Sequence, residues 1–138
     1  MSSESLRTAG ILLVVYPTVI FGGVSILWLW VTRRHPYYRD NALRQRLWAA
    51  GHAHAGVLLI LSLVALILVD QTDLAPGWRT FVSWSIPGAA ILMPAAFFLS
   101  VLKVSAERPA PIINLAYLGA ISLTGGMVTL GVGLLQVL

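Results

Sequence analysis

The sequence predicts an all-α protein, a four-helix transmembrane bundle with up-down-up-down connections. Three observations predict it. Of the 138 residues, 58% are hydrophobic and 10% charged, with a mean hydropathy of +0.85, whereas a soluble domain carries about 25% charged residues. Four segments, 9–31, 48–69, 80–102 and 112–138, contain no Asp, Glu, Lys or Arg, and each is long enough to cross a hydrocarbon core of about 30 Å. The intervals between them are short, so chain neighbours are expected to run antiparallel. The chain 1–138 therefore reads as a single integral membrane domain, multi-pass in the cell membrane.

Residues 1–7 form a polar leader, expected to be mobile. Segment 9–31 reads as a true span, because its apolar stretch is too long for a cleavable signal and Arg7 is offset by Glu4. Arg33 and Arg34 end the first helix, and Pro36 prevents its continuation. Asp40 and Asn41 can cap the next helix, whose first turns (42–47) lie in or beyond the headgroups before it enters the membrane at Trp48. Residues 70–77, with Asp70, Asp73, Pro76 and Gly77, carry a turn signature. The third span contains Pro87 and Pro94, and the first Pro17. Such prolines are tolerated in spans because neighbours or Ser/Thr hydroxyls take up the freed carbonyls. Asn114 and Gln136 in the fourth are expected to make interhelical hydrogen bonds.

The charges also set an orientation. Seven of the nine basic residues lie in the first and third connections, against Arg7 and Arg79 on the other side. By the positive-inside rule both termini should be non-cytoplasmic. Trp28, Trp30 and Trp48 then fall near the cytoplasmic interface and Trp78 and Trp84 near the outer one, as an aromatic belt requires. The net charge of +4 is thus a membrane-flank pattern, with no nucleic-acid partner implied. Arg33, Arg34, Arg39, Arg44 and Arg46 are expected to face lipid and hold anionic headgroups, at about 1 kcal/mol each.

Lipid supplies no hydrophobic force between helices, so association rests on small residues that let backbones approach. The second span opens with Gly51 and Gly56 among alanines, and the fourth carries Gly119, Gly125 and Gly126. These two helices are the expected close-packed pair. Substituting Gly56→Leu or Gly125→Leu should disrupt assembly.

Chemistry is sparse. With no cysteine, iron–sulfur clusters, thiolate zinc sites, thiol catalysis and c-type haem attachment are excluded. No acidic or basic side chain lies at membrane depth, which argues against ion-coupled pumping. The exceptions to this polar scarcity are His52 and His54. Two residues apart on a helix, they point about 200° from each other and cannot clamp one metal ion. His52 shares its face with Gly56, which leaves room for a flat ligand and makes it a candidate axial ligand for haem. His54 shares its face with Leu58 and Leu61 and reads as outward-facing or inter-subunit. Bis-histidine ligation would need His35 or a second subunit. As general acid or base, either His52 or His54 could serve an isomerase.

The run RLWAAGHAHAGVLL, beginning at Arg46, resembles the His-x-His helix start of the haem-copper oxidase subunit I group. The plan of four short-looped spans with a His/Gly patch on the second is similar to small hydroxylaminobenzene-mutase-like membrane proteins. These resemblances imply His52 or His54 as the haem or active-site histidine. Oxygen reduction is not implied, since the further histidines that chemistry needs are absent. The leading reading is a binding or accessory subunit that self-associates or joins a larger membrane complex. A haem-binding redox module and a membrane isomerase are the alternatives.

Overall fold

The computed structural model describes all residues, 1–138. Helix α1 spans Ser3–Thr32, a single turn α2 Pro36–Arg39, α3 Ala42–Val69, α4 Pro76–Leu99 and α5 Leu115–Leu135, the last entered through a 3₁₀ turn, Pro111–Asn114. Four of these helical segments are long and apolar enough to cross a membrane. The chain is an all-α, multi-pass membrane protein.

Local chemistry explains the boundaries. Ser2 caps α1, its hydroxyl accepting from the Ser5 N–H, and the helix ends at Arg33, whose left-handed φ of 51° lets its N–H donate back to Leu29 O at 3.2 Å. Pro36 and Pro76 open α2 and α4, where a missing N–H costs nothing. Asn41 caps α3, as expected from sequence, by accepting from the Arg44 N–H. All three internal prolines, Pro17, Pro87 and Pro94, sit within continuous helix.

Contacts along the helices run in opposite chain directions. Gly23 and Val19 of α1 meet His52 and Gly56 of α3, Gly51 of α3 meets Phe97 and Phe98 of α4, and Gly119 and Gly126 of α5 meet Met93 and Ser85 of α4. The main core cluster joins Ala65, Val69, Val82, Ile86 and Leu130, from α3, α4 and α5. A second, Leu58, Leu59 and Ala90, is covered from α1 by Leu12, Tyr16 and Val19.

Several expectations are corrected. The small-residue faces of α3 and α5 pack chiefly against α4 and barely against each other. The alanines of α4 explain this, since Ala89 and Ala96 are fully buried and admit a helix on each side. Helix α1 packs chiefly on α3, with a smaller contact to α2, and none of its most apolar 18-residue stretch is buried. The leader is not loose: α1 begins at Ser3, and the Ser2 N–H donates to Asp70 at 2.7 Å. The third span stops at Leu99 and not at 102. The fourth stops at Leu135, leaving Gln136 exposed. The interhelical side-chain hydrogen bond in α5 comes from Ser122, donating to Ser85 O at 2.8 Å, and not from Asn114 or Gln136.

Candidate functional site

The basic end of the molecule is built around Arg44. The Asn41 cap sets the rotation of α3 so that Arg44 points inward, where it is fully buried. Its Nε donates to Val101 O at 3.0 Å, Nη1 to Tyr37 O and Nη2 to Lys103 O at 2.7 Å. The guanidinium also lies 3.6 Å over the Tyr37 ring, a cation–π contact. One cation thereby clasps the α1–α3 connection to the α4–α5 connection.

Neighbouring bonds reinforce the clasp. The Tyr37 hydroxyl donates to Leu102 O at 2.6 Å and Asn41 Nδ2 to Ala106 O at 2.8 Å. Carbonyls just past the end of α4 carry partial negative charge, which favours a cation there. This pull explains why α4 ends at Leu99: the next carbonyls turn toward Arg44. Tyr38 is buried beside Trp48, ring centroids 5.7 Å apart, and burial raises its phenol pKa.

Of the five arginines expected to hold lipid, Arg33, Arg34, Arg39 and Arg46 are exposed and Arg44 is not. Arg44 is corrected from a headgroup contact to an internal staple. Arg39 is engaged by Asp40, Nε to Oδ1 at 2.6 Å, an exposed pair of small energetic weight. Trp48 likewise leaves the aromatic belt for a packed cluster with Tyr37, Tyr38 and Phe98.

The histidines diverge around α3 as the 200° argument requires, but into different surroundings than their neighbours in sequence imply. His52 faces α1. A β-carbon on Gly23 would stand 2.6 Å from His52 Nε2 and 2.7 Å from Cε1, so the glycine exists to admit this ring. His54 faces α4: its ring lies 5.0 Å from Phe97, and Nδ1 donates to Ala50 O at 2.8 Å. It is not outward-facing. His35 is exposed and packs on Trp28 at 5.3 Å.

Haem does not fit at His52. The Nε2 of His52, where an axial bond would form, is covered by the α1 backbone at Gly23, and Val19 borders Gly56, 4.0 Å from where a β-carbon would stand. A macrocycle would have to displace α1. No group of three or more His, Cys, Asp or Glu is placed to hold a metal ion.

No family model, curated protein or solved structure matches the chain.

The opposite end carries a second polar junction that sequence reasoning missed. Asp70, at the end of α3, accepts from the Ser2 N–H at 2.7 Å and from Ser5 Oγ at 3.2 Å. Burial raises its carboxyl pKa, but these hydrogen bonds and the nearby N-terminal charge outweigh it and hold the group below its ordinary 3.8. A depressed folded-state pKa contributes stability that is present above the unfolded value and lost as pH falls through the folded one. Amide protection at Ser5 and Leu6, relative to the intrinsic exchange rate at each pH, should therefore be high at neutral pH and fall below pH 3.8, and in Asp70→Asn it should be low throughout. Exchange that ignores both acid and the substitution would show that Asp70 does not hold α1. The one signal in the sequence is topological: Ser2 and Ser5 lie at the start of one apolar helix and Asp70 at the end of another that runs beside it.

Proposed function

We propose that this protein is a membrane-embedded accessory or binding subunit, with four spans running up-down-up-down and both termini on the non-cytoplasmic side. It would self-associate or join a larger membrane complex. The observation that carries this is the state of α1. That helix is 30 residues long, about 45 Å at 1.5 Å per residue, and is held along one side only. Its other sides present Val14 and Phe21, 79% and 74% exposed. Helices α3, α4 and α5 supply a packed platform, and the Arg44 clasp and Asp70 junction fix their two ends. Such a design holds an apolar helix rigidly in lipid while leaving it free to meet another helix.

The histidines support this reading by their roles. His52 packs against α1 and His54 against Phe97 of α4.

The test uses single cysteines in a chain that has none. In native membranes Val14→Cys should crosslink to a copy of itself or to a defined partner, while Ser62→Cys, fully buried, should not. If no cysteine placed around the exposed side of α1 gives a product, α1 faces lipid alone and the reading fails.

A further inference from the structure

Helix α1 leans on α3 and leaves a slot against α4 at the end where both Asp70 and the start of α1 lie. Two adjoining cavities fill this slot and share Glu4. The inner one, about 210 Å³, is polar, with Ser5, Asp70, Arg79 and Ser83 in its walls. The outer one, about 520 Å³, runs along α1 from Glu4 and Arg7 past Thr8 to Ile11, with Trp84 of α4 opposite. The two cavities meet at Glu4, one lined by charged groups at the helix ends and the other reaching Ile11 and Trp84 within the spans.

The charges here are of mixed sign. Glu4 and Asp70 stand with Arg7 and Arg79, yet the only ion pair in the molecule is Arg39 with Asp40 at the other end. Arg79 donates one Nη2 bond to Thr72 O, while its Nε is buried without any partner. A buried donor left unsatisfied is costly, and a native one calls for an explanation. Asp70, although it accepts from Ser2 and Ser5, retains acceptor capacity, since a carboxylate offers about four lone-pair sites.

We propose that this slot binds one zwitterionic phospholipid bearing a primary amine, its phosphate against Arg79 and Arg7, its ammonium against Glu4 and Asp70, and an acyl chain along Ile11 and Trp84. A phosphate oxygen accepts charge-assisted hydrogen bonds from the guanidinium nitrogens that face the cavity. A primary ammonium donates N–H bonds to the carboxylates. A trimethylammonium headgroup has no N–H to donate, and a glycerol headgroup has no cation, so the site discriminates by headgroup. This inference uses the membrane-spanning fold but not the accessory role, and each can fail without the other.

Native mass spectrometry of the detergent-purified full chain, offered dioleoyl phosphatidylethanolamine, phosphatidylcholine and phosphatidylglycerol separately, tests it. The expected result is at least about five-fold greater retention of phosphatidylethanolamine, corresponding to about 1 kcal/mol. Glu4→Gln, an exposed position, should abolish that preference. Thr8→Trp, which fills the outer cavity, should abolish retention with helicity unchanged, and Glu4→Gln decides should that variant fail to fold. Equal retention of the three lipids, a preference unaffected by Glu4→Gln, or displacement of the lipid by equimolar glycerophosphoethanolamine would each overturn the proposal. The last outcome would assign the cavity to a free headgroup solute.

Discussion

Replacing Arg44 with alanine is expected to lower stability by about 3 kcal/mol, the order of magnitude for losing hydrogen bonds from a buried charged group and leaving their acceptors shielded. The loss has two parts. The guanidinium bonds to Val101, Tyr37 and Lys103 carbonyls disappear, and those carbonyls stay partly shielded from water, so their desolvation is no longer offset. The hold between the two connections also goes, and the turn that ends α4 loses its cation. Arg44→Lys should recover only part of the loss, because a single ammonium cannot reproduce a planar fork that reaches three carbonyls. Arg34→Ala and Arg46→Ala, both at exposed positions, should change stability by no more than about 0.5 kcal/mol. Thermal unfolding in detergent, followed by circular dichroism, measures all four variants. Equal melting of Arg44→Ala and Arg46→Ala would remove the clasp from this account.

The second large effect lies between α4 and α5. A β-carbon at Gly126 would collide with Ser85 Oγ and stand 2.8 Å from Ile86 Cγ1, and Ile86 is completely buried. Gly126→Leu should therefore force the helices apart and destabilise the protein by about 3 kcal/mol, the upper part of the usual range for overpacking. Gly131→Leu on the same helix meets nothing within 4 Å and should be close to silent. The contrast matters because both changes add the same hydrophobic bulk to one helix, so only packing distinguishes them. Gly56→Leu and Gly125→Leu, singled out from sequence, should have intermediate effects. The first position is bounded only by Val19 at 4.0 Å and the second by the movable tip of Phe81 at 3.3 Å.

Much of the fold was legible because charge segregation and span length are coarse signals that tertiary packing does not overwrite. The cap at Asn41 was equally plain, since a local hydrogen bond depends on local sequence. Arg44 was not. Five arginines in one stretch invite a single assignment, and only the helical rotation fixed by the cap separates inward Arg44 from outward Arg46. The error at His54 has a more general cause. Its companions Leu58 and Leu61 look the same whether they meet lipid or protein, because both surroundings are apolar. Leu58 is in fact 5% exposed and Leu61 packs on the core. Likewise, glycines on α3 and α5 announced close packing without saying against what. Gly56 meets Val19 of α1, and for Gly51, Gly119, Gly125 and Gly126 the partner proved to be α4, whose alanines carry no pattern that stands out from an apolar span. The junction at Asp70 depends on residues 65 or more positions apart, which no local reading brings together.

The claim on which the rest depends is that four helices cross the membrane with the Arg44 end in the cytoplasm. Single cysteines at Ser3, Arg34, Asp73 and Lys103, introduced into the cysteine-free chain and treated with a membrane-impermeant maleimide on intact cells, test it directly. The account predicts labelling at Ser3 and Asp73 without permeabilisation, and at Arg34 and Lys103 only after it. Labelling of Arg34 or Lys103 on intact cells, or Ser3 and Asp73 behaving differently from each other, would contradict it.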